Sequence, residues 1–495
     1  MDVPFAPEKW RWLQISRDRI INRLHVQSVF LGVAPTLIAL YILAVLVHIW
    51  LLKDSTVAPY IARDEVQYAL LGENLRAGHG FLMRGVFHPT SPPLFPLFVA
   101  LGHSLAPQPR TGFFFLSVFT ICLTLLPVYG IARYIDLSKQ ESALVAAATS
   151  VMPQTFYSCM YMSETLHLPL FFLAFWLCLK WLERPGWLLS VALGSTFGLM
   201  SLNRIAAITP LICFSAVALF TVFRRRRIGM ASGYGLGLLF VLFLYIVFQG
   251  SWWAYKASIG VSMLGTYASS HLGAKQLNWE LFLAYIGDGF LAPGLIVCMP
   301  FLLGLSHIGK RRPAAALFLG ITPIVLIVST ALSDGNLTGF LRERYYIYAF
   351  PLIMVVAVRG IGYLGEGRSS WLGAVNLFVF PLALLLCVLM YKFAIPPLVE
   401  SSWAHAVGFH NGVFTRTSLL VWSCAIIVAA GGGLLLCPRE KAPIVLATFL
   451  LIFNMFAFDK VATGIKTTVS GIATRTAVLS SLFPENLKAL TIMCL

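Results

Sequence analysis

The stretch IARDEVQYALLGENLRAGHGFLMRGVFHPTSPPLFPLF, residues 61–98, is the only long polar segment between two strongly apolar regions near the N-terminus. It opens with an adjacent acid pair, Asp64 and Glu65. Three residues then follow Asp64 at helical spacing, on one face of a 3.6-residue period: Tyr68, Leu71 and Leu75. The sequence therefore predicts a helix that begins at the acid pair and ends near Gly78, since glycine is the usual helix terminator.

A second helix is predicted directly after the first. Ser91-Pro92-Pro93 supplies a serine cap and prolines for the first turn, and the apolar run continues through Leu105 to a stop at Pro107. At about 15 residues this helix is too short to cross a bilayer comfortably. We therefore expect it to lie along the membrane interface.

The composition places the chain among polytopic membrane proteins. Of its 495 residues, 58% are hydrophobic and only 11% are charged, and the mean hydropathy is +0.82. A soluble protein has about 25% charged residues, so this chain cannot cover itself with a polar surface. The nine cysteines form no CxxC pair and no metal-ligand spacing, so they read as small buried hydrophobic residues.

The apolar runs predict an all-α protein with about thirteen transmembrane helices. They lie near 32–52, 111–133, 141–160, 163–182, 187–203, 206–223, 229–249, 283–307, 313–332, 346–364, 371–392, 416–436 and 442–459.

The same pattern divides the chain into four parts. Residues 1–30 form a basic, amphipathic segment suited to a cytoplasmic leaflet, and 31–365 form the main transmembrane module, which includes a first outer loop at 53–110. Further transmembrane helices occupy 366–460, and a short outer-face tail is expected at 461–495.

The net charge of +16 follows mainly from membrane topology and does not indicate nucleic-acid binding. With the N-terminus in the cytoplasm of an inner or plasma membrane, the basic loops all fall on the cytoplasmic side, as the positive-inside rule predicts. These residues are Arg133 with Lys139, Lys180 with Arg184, Arg224 to Arg227, Lys310 to Arg312, Arg368, and Arg439 with Lys441.

The opposite, outer face collects acids from the first two loops and bases from later ones. The set is Asp64, Glu65, Arg76, Arg84, His88, Glu164, Arg204, Lys256, His271, Lys275, Asp288, Arg342, Glu343 and Arg344. Charges at the membrane edge are costly and usually functional. A carboxylate beside arginines and lysines suits transfer from a lipid phosphate donor, with the acid as general base and the cations on the departing phosphate.

Three motifs on this face resemble the GT-C glycosyltransferases, in particular the protein O-mannosyltransferases and the lipid A aminoarabinose transferase. The first is Asp64-Glu65-x-x-Tyr68 with Asn74-Leu75, Gly78 and Pro92-Pro93-Leu94-Phe95-Pro96. The others are Ser163-Glu164, and Glu343-Arg344-Tyr345 followed by Tyr348 and Pro351. The resemblance covers about residues 30 to 365 and implies a GT-C fold with interfacial helices in the first outer loop.

The resemblance also implies roles. The donor would be a polyprenyl-phosphate-linked sugar, transferred with inversion to a glycolipid, glycan or protein acceptor. Asp64 matches the catalytic acid and is the expected general base, with Glu65 beside it and Glu164 as second acid. Arg204, Lys256, Arg342 and Arg344 are expected to bind the donor phosphate, and Tyr68, His88 and Tyr345 to contact substrate.

Metal use and acceptor identity stay open at this point. His88 and His271 could join Glu65 or Glu164 around a divalent metal, but the spacing gives no metal motif, and no cofactor is assigned. Between Phe87 and Pro92 the chain reads His-Pro-Thr-Ser, where the aminoarabinose transferases have an acid and a lysine.

Structural roles compete with each of these assignments. Asp64 could cap its helix, and Glu164 could pair structurally with Arg204. Arg344 could anchor its helix at the interface, and Lys256 could do so beside Trp252. At the level of function, a secondary transporter is the main alternative, although no inverted repeat is visible. A lipid-carrier ligase or flippase-like protein is the other.

Overall fold

The computed structural model describes residues 35–53, 63–83, 86–87, 92–204, 207–224, 228–258, 278–334, 343–362, 370–390, 409–410 and 413–482. Within these ranges the chain is almost entirely helical, with seventeen α-helices. In chain order they are α1 Pro35–Leu52, α2 Arg63–Arg76, α3 Leu94–Ser104, α4 Pro109–Cys122, α5 Leu125–Tyr134, α6 Lys139–Ser150, α7 Glu164–Glu183, α8 Trp187–Asn203, α9 Ile208–Arg224, α10 Ile228–Ser258, α11 Trp279–Leu291, α12 Cys298–Arg311, α13 Pro313–Asp334, α14 Ala349–Ile361, α15 Ser370–Met390, α16 Arg416–Leu436 and α17 Ala442–Leu482.

The remaining regular structure is short. Pro153–Cys159 and Glu343–Tyr345 are 3₁₀ helices. Strand β1, Leu82–Met83, pairs with β2, Val86–Phe87, and β3, Phe409–His410, pairs with β4, Val413–Phe414. Each strand has only two residues and both pairs are antiparallel, so the all-α prediction is confirmed.

Seven helical segments of the described chain are long and apolar enough to cross a membrane. They are Pro35–Leu52, Pro109–Tyr134, Glu164–Glu183, Gly233–Ala257, Pro313–Leu332, Arg416–Leu436 and Ala442–Gly464. The protein is therefore an integral membrane protein. Several other predicted spans are present as apolar helices of 10–17 residues, and the count of thirteen is not confirmed.

The predicted spans differ from the observed helices most clearly in three places. The run at 283–307 is two helices, α11 and α12, because the chain breaks near Gly294, which has a φ of 152°. The run at 141–160 is the 12-residue α6 followed by a 3₁₀ helix that begins at Pro153. At the other end of the chain, α17 continues to Leu482, well past the boundary expected at residue 460.

The helix of the acid pair is seated on a small core of its own. Gly72 of α2 lies so close to α3 that an added Cβ would be 2.3 Å from Cγ1 of Val99. This contact holds α2 in a small buried hydrophobic cluster, formed by Ala69 of α2 with Phe95, Val99, Phe113 and Tyr161. The two helices predicted in the first outer loop are thus packed against each other and against α4.

A second close approach fixes the position of α14. Its Gly360 faces the backbone of α12 so tightly that a Cβ would lie 1.8 Å from the Pro300 carbonyl oxygen. Likewise, a Cβ on Gly304 of α12 would lie 2.1 Å from the Val356 carbonyl oxygen. Because both contacts exclude larger side chains, the two helices hold a fixed register, and with it the segment that enters α14.

Candidate functional site

The acid pair occupies the first turn of α2, and the two side chains have opposite environments. Asp64 is 52% exposed, whereas Glu65 is fully buried. Adjacent residues on a helix point about 100° apart, so one can face a cleft while the other faces the core. The positive end of the helix dipole favours both negative charges at this position.

Asp64 meets the late motif across the chain. Nη1 of Arg344 donates to Oδ2 of Asp64 at 3.4 Å, joining residues 280 positions apart. Nη2 of Arg344 donates to the Tyr345 hydroxyl at 3.1 Å, and its guanidinium lies 5.0 Å from the centre of that ring. The structure therefore brings the start of α2 and the segment before α14 together, and the place where they meet is the candidate cleft.

Glu164 and Arg204 form a buried ion pair beside this cleft. The Glu164 side chain is 2% exposed and that of Arg204 is 15% exposed. Arg204 also donates to the hydroxyl of Ser163 at 3.1 Å, and Asn203 donates to the Ser163 carbonyl at 3.0 Å. These bonds fix the end of α8 against the start of α7. The charged side chains of Glu164 and Arg204 are therefore held at a fixed distance from each other.

Tyr345 connects the two pairs. The Arg204 guanidinium lies 5.9 Å from the centre of the Tyr345 ring that Arg344 also contacts. Two arginines, each with a carboxylate partner, thus converge on one aromatic side chain. The two pairs carry two positive and two negative charges in total. A phosphate that entered here would find two guanidinium groups already oriented.

Tyr68 closes the same cleft from α2. Its hydroxyl hydrogen-bonds the Ser163 side chain, and its ring contacts Phe95 edge-on at 4.8 Å. Burial raises the pKa of Tyr68 to about 12, so its hydroxyl keeps its proton at neutral pH. Tyr68 therefore lies with Arg204 and Glu164. The substrate contact predicted for it from the sequence stays a prediction.

Tyr348, at the start of α14, contributes an unsatisfied hydroxyl near these charges. The side chain is 2% exposed, and its oxygen finds no hydrogen-bond partner among the described residues. Burial raises the pKa of Tyr348, and Arg204 and Glu164 are close enough to influence it. A buried hydroxyl without a partner is uncommon and costly, which is typical of a position that completes its bonding with a ligand.

The segment Glu343-Arg344-Tyr345 is held in place by hydrogen bonds of its neighbours to the core. Glu343 is buried and accepts a hydrogen bond from Gln154, and the Tyr346 hydroxyl donates to the buried Asp288. The residues on either side of Arg344 and Tyr345 are thus fixed in the core. Asp288, grouped with the outer-face charges by its sequence position, serves to hold this segment.

Glu65 does not join Asp64 in the cleft. It forms an ion pair with Nη2 of Arg110 at 3.5 Å, and the Arg110 guanidinium lies 5.8 Å from the ring of Tyr161. Sequence reasoning missed Arg110, although its position between Pro109 and an apolar run, at the end of the loop predicted at 53–110, was a signal.

A third set of polar contacts under α2 was also missed. The His103 ring, 4% exposed, contacts Glu73 through Nδ1 at 3.1 Å and the Tyr161 hydroxyl through Nε2 at 3.0 Å. Burial lowers the pKa of His103, although Glu73 opposes that shift. An isolated histidine within the apolar α3 was the only sequence signal for this bridge between α2, α3 and the loop that follows the first 3₁₀ helix.

The other predicted site residues are placed elsewhere or lie outside the described ranges. Nζ of Lys256 lies 5.8 Å from the centre of the Trp252 ring, and Trp252 packs on Phe81, beyond the turn that ends α2. His88 and Arg342 lie outside the described residues. Within the described ranges, no three His, Cys, Asp or Glu side chains converge as a metal site would require.

Residues 90–253 match the sequence model of a family described as dolichyl-phosphate-mannose-protein mannosyltransferase. No curated protein matches the chain.

The fold is similar to that of solved GT-C structures. The crystal structure of ArnT from Cupriavidus metallidurans bound to undecaprenyl phosphate has a TM-score of 0.55 at 14% identity, covering 89% of this chain and 78% of that chain. The apo form has a TM-score of 0.55 at 15% identity, covering 88% and 78%. The archaeal oligosaccharyltransferase AglB from Archaeoglobus fulgidus, in complex with an inhibitory peptide and a dolichol-phosphate, has a TM-score of 0.46 at 14% identity, covering 78% and 59%. The GT-C fold expected from sequence is confirmed by the likeness to ArnT.

Proposed function

We propose that this chain is a membrane glycosyltransferase that transfers a sugar from a polyprenyl-phosphate donor to an acceptor hydroxyl on the extracytoplasmic face. The observation that carries the proposal is the meeting of Asp64, Arg344, Tyr345, Arg204 and Glu164 in one cleft of a GT-C fold. The matched family and the undecaprenyl phosphate bound to ArnT support a lipid-phosphate donor. The cytoplasmic N-terminus and the outer position of the site rest on the distribution of basic loops.

The proposed reaction is a single displacement with inversion at the anomeric carbon. The acceptor oxygen forms a bond to that carbon while the bond from carbon to phosphate oxygen breaks. Asp64 takes the acceptor proton, a role that suits an exposed carboxylate. The bonding electrons leave with the phosphate, and the developing charge is stabilised by the guanidinium groups of Arg344 and Arg204.

The two arginines have different duties in this proposal. Arg204 is held rigidly by Glu164 and Ser163, so it supplies a preorganised positive charge. Arg344 shares its charge with the more exposed Asp64, so phosphate binding would release the aspartate to act as a base. Arg342 and Lys256 are proposed as further donor-phosphate contacts, Tyr68, Tyr345 and His88 as substrate contacts, and Glu65 as a support for the start of α2.

The test is the activity of an Asp64→Asn variant in detergent or proteoliposomes, with a panel of polyprenyl-phosphate sugars. We expect transfer to fall about 10²- to 10⁴-fold while the melting temperature stays unchanged, because the side chain is half exposed and its loss removes a general base. Glu73→Gln, an acid of the same helix outside the cleft, is the control and should keep activity near wild type. An Asp64→Asn enzyme with full activity would disprove the base assignment.

A further inference from the structure

A pocket of about 550 Å³ lies at the other end of the helix bundle from the candidate site. It is formed where α5, α7 and α9 end and where α12 meets α13. Its lining residues are Tyr134, Leu182, Glu183, Phe220, Thr221, Arg224, Arg311, Arg312, Pro313, Ala314 and Ala315. Because α7 runs from Glu164 to Glu183, about 30 Å separates the two sites.

The pocket is basic. Among the residues that the structure describes, Arg224, Arg311 and Arg312 line it together with one acid, Glu183. Asp136 offsets part of this charge, since it pairs with Arg312 at 3.3 Å and with Arg311 at 3.9 Å. Lys180 adds a further positive charge near Tyr134, at 5.5 Å from the ring centre, so cations remain in excess.

Arg312 is the group that points to a ligand. Its Nη2 bonds Asp136, and its guanidinium lies 4.7 Å from the centre of the Tyr134 ring. Its Nη1 is buried and has no hydrogen-bond partner among the described residues. A buried guanidinium N–H without an acceptor is costly, and an anionic oxygen in the pocket would satisfy it.

The pocket also borders the apolar surface of the bundle. Phe220 lines it and is 47% exposed, and Phe223 on the same helix is 78% exposed. Exposed aromatic residues on a membrane helix contact lipid, so the pocket combines arginine side chains with access for acyl chains. Basic pockets of this kind between membrane helices bind anionic lipid head groups.

We propose that this pocket binds the phosphate of an anionic phospholipid. The phosphate accepts hydrogen bonds from Arg312 and Arg224, and the acyl chains lie along α9 beside Phe220. The net positive charge of the pocket disfavours a zwitterionic lipid, whose head-group cation would be placed against arginine. The site is separate from the sugar-transfer cleft and does not depend on the function proposed for it.

The test is native mass spectrometry of the full-length protein in detergent with added phosphatidylglycerol, phosphatidylcholine or inorganic phosphate. Wild type is expected to retain phosphatidylglycerol in preference to phosphatidylcholine. Arg312→Gln and Arg224→Gln should each lower its occupancy about fivefold. Arg224 makes no side-chain hydrogen bond or ion pair with the described residues, so its variant tests binding without disturbing the Asp136 pairs.

Two further variants sharpen the result. Arg184→Gln removes a charge from the same end of α7 but outside the pocket lining, so its lipid occupancy should match wild type. Glu183→Gln removes the acid of the lining and should raise occupancy. Equal phosphatidylglycerol binding in Arg224→Gln, Arg312→Gln and Arg184→Gln would overturn the proposal. Displacement of the lipid by millimolar inorganic phosphate would overturn it too, because it would indicate a site for a soluble anion.

Discussion

Helix α7 begins and ends with a glutamate, and the two glutamates differ in burial. Glu164, the first residue, is buried against Arg204, which also donates a hydrogen bond to Ser163. Glu183, the last residue, is exposed and lines a basic pocket whose ion pairs are partly solvated. The same residue type thus lies in the proposed sugar-transfer site at one end and in the proposed lipid site at the other.

The physical reason lies in desolvation. A buried charge must have its partner in place before the substrate arrives, since an unpaired one is costly. At the end of the bundle with the basic pocket, called the basic end below, Asp136 is 43% exposed and Arg311 is 65% exposed. Water therefore screens their charges. Rigid geometry is therefore expected at the proposed transfer site, and looser geometry at the proposed lipid site.

The largest expected contrast is between Glu164→Gln and Glu183→Gln. Loss of the Glu164 carboxylate leaves Arg204 charged and buried, and should lower the free energy of unfolding by about 3 kcal/mol. Glu183→Gln should change it by less than about 0.5 kcal/mol. Denaturant titration in mixed micelles measures both. Equal free energies of unfolding for Glu164→Gln and Glu183→Gln would contradict the proposed difference between the two ends of α7.

The next contrast concerns backbone packing. Gly72→Ala places a methyl group against Val99 and should destabilise the protein by about 1–3 kcal/mol, with a loss of activity as α2 shifts. Gly309→Ala, at the basic end of α12, meets Ala316 at an ordinary 3.6 Å and should be tolerated. Thermal unfolding and transfer activity are the measurements.

The double variant Gly72→Ala/Val99→Ala is the matched control for this contrast. It should recover part of the lost stability, because it removes Cγ1 of Val99, the nearest of the atoms that the new methyl would meet. An unchanged defect in the double variant would place the cause outside the α2–α3 contact.

The smallest expected effect is in pH dependence. Burial lowers the pKa of His103 below its ordinary 6.5, so the unfolded chain takes up a proton more readily than the folded one. The corresponding stability is present above pH 6.5 and is lost as the pH falls below it. Arg76 lowers the pKa of Glu73, which acts in the same direction at more acidic pH.

Melting temperatures at pH 7.5 and 5.5 test this. The decrease on acidification should be smaller in His103→Gln than in wild type, because glutamine does not titrate in this range. Arg224→Gln, at the basic end, should show the wild-type decrease. An identical decrease in His103→Gln would assign the pH dependence to other groups.

Sequence reasoning predicted local structure well where a local cause sufficed. The helix from the acid pair to the glycines is confirmed as α2, with Gly78 and Gly80 at φ of 80° and 76°. It was less accurate at 283–307, since an apolar run looks continuous whether or not Gly294 adopts a backbone that ends the helix. The roles of Asp64 and the arginines stay predictions that only activity can test.

The sequence by itself determined that this is a polytopic helical membrane protein, which residues could carry charge at its edges, and that its first loop begins with two acids. Hydrophobic runs and helical periodicity depend on residues close together in the sequence, so helices can be predicted from them without the tertiary structure. Only the tertiary structure decided that Asp64 faces Arg344 while its neighbour Glu65 is buried with Arg110, and that His103 joins Glu73 to Tyr161. Those pairings depend on how closely α2, α3 and α4 approach, and this distance is set by contacts between residues far apart in sequence.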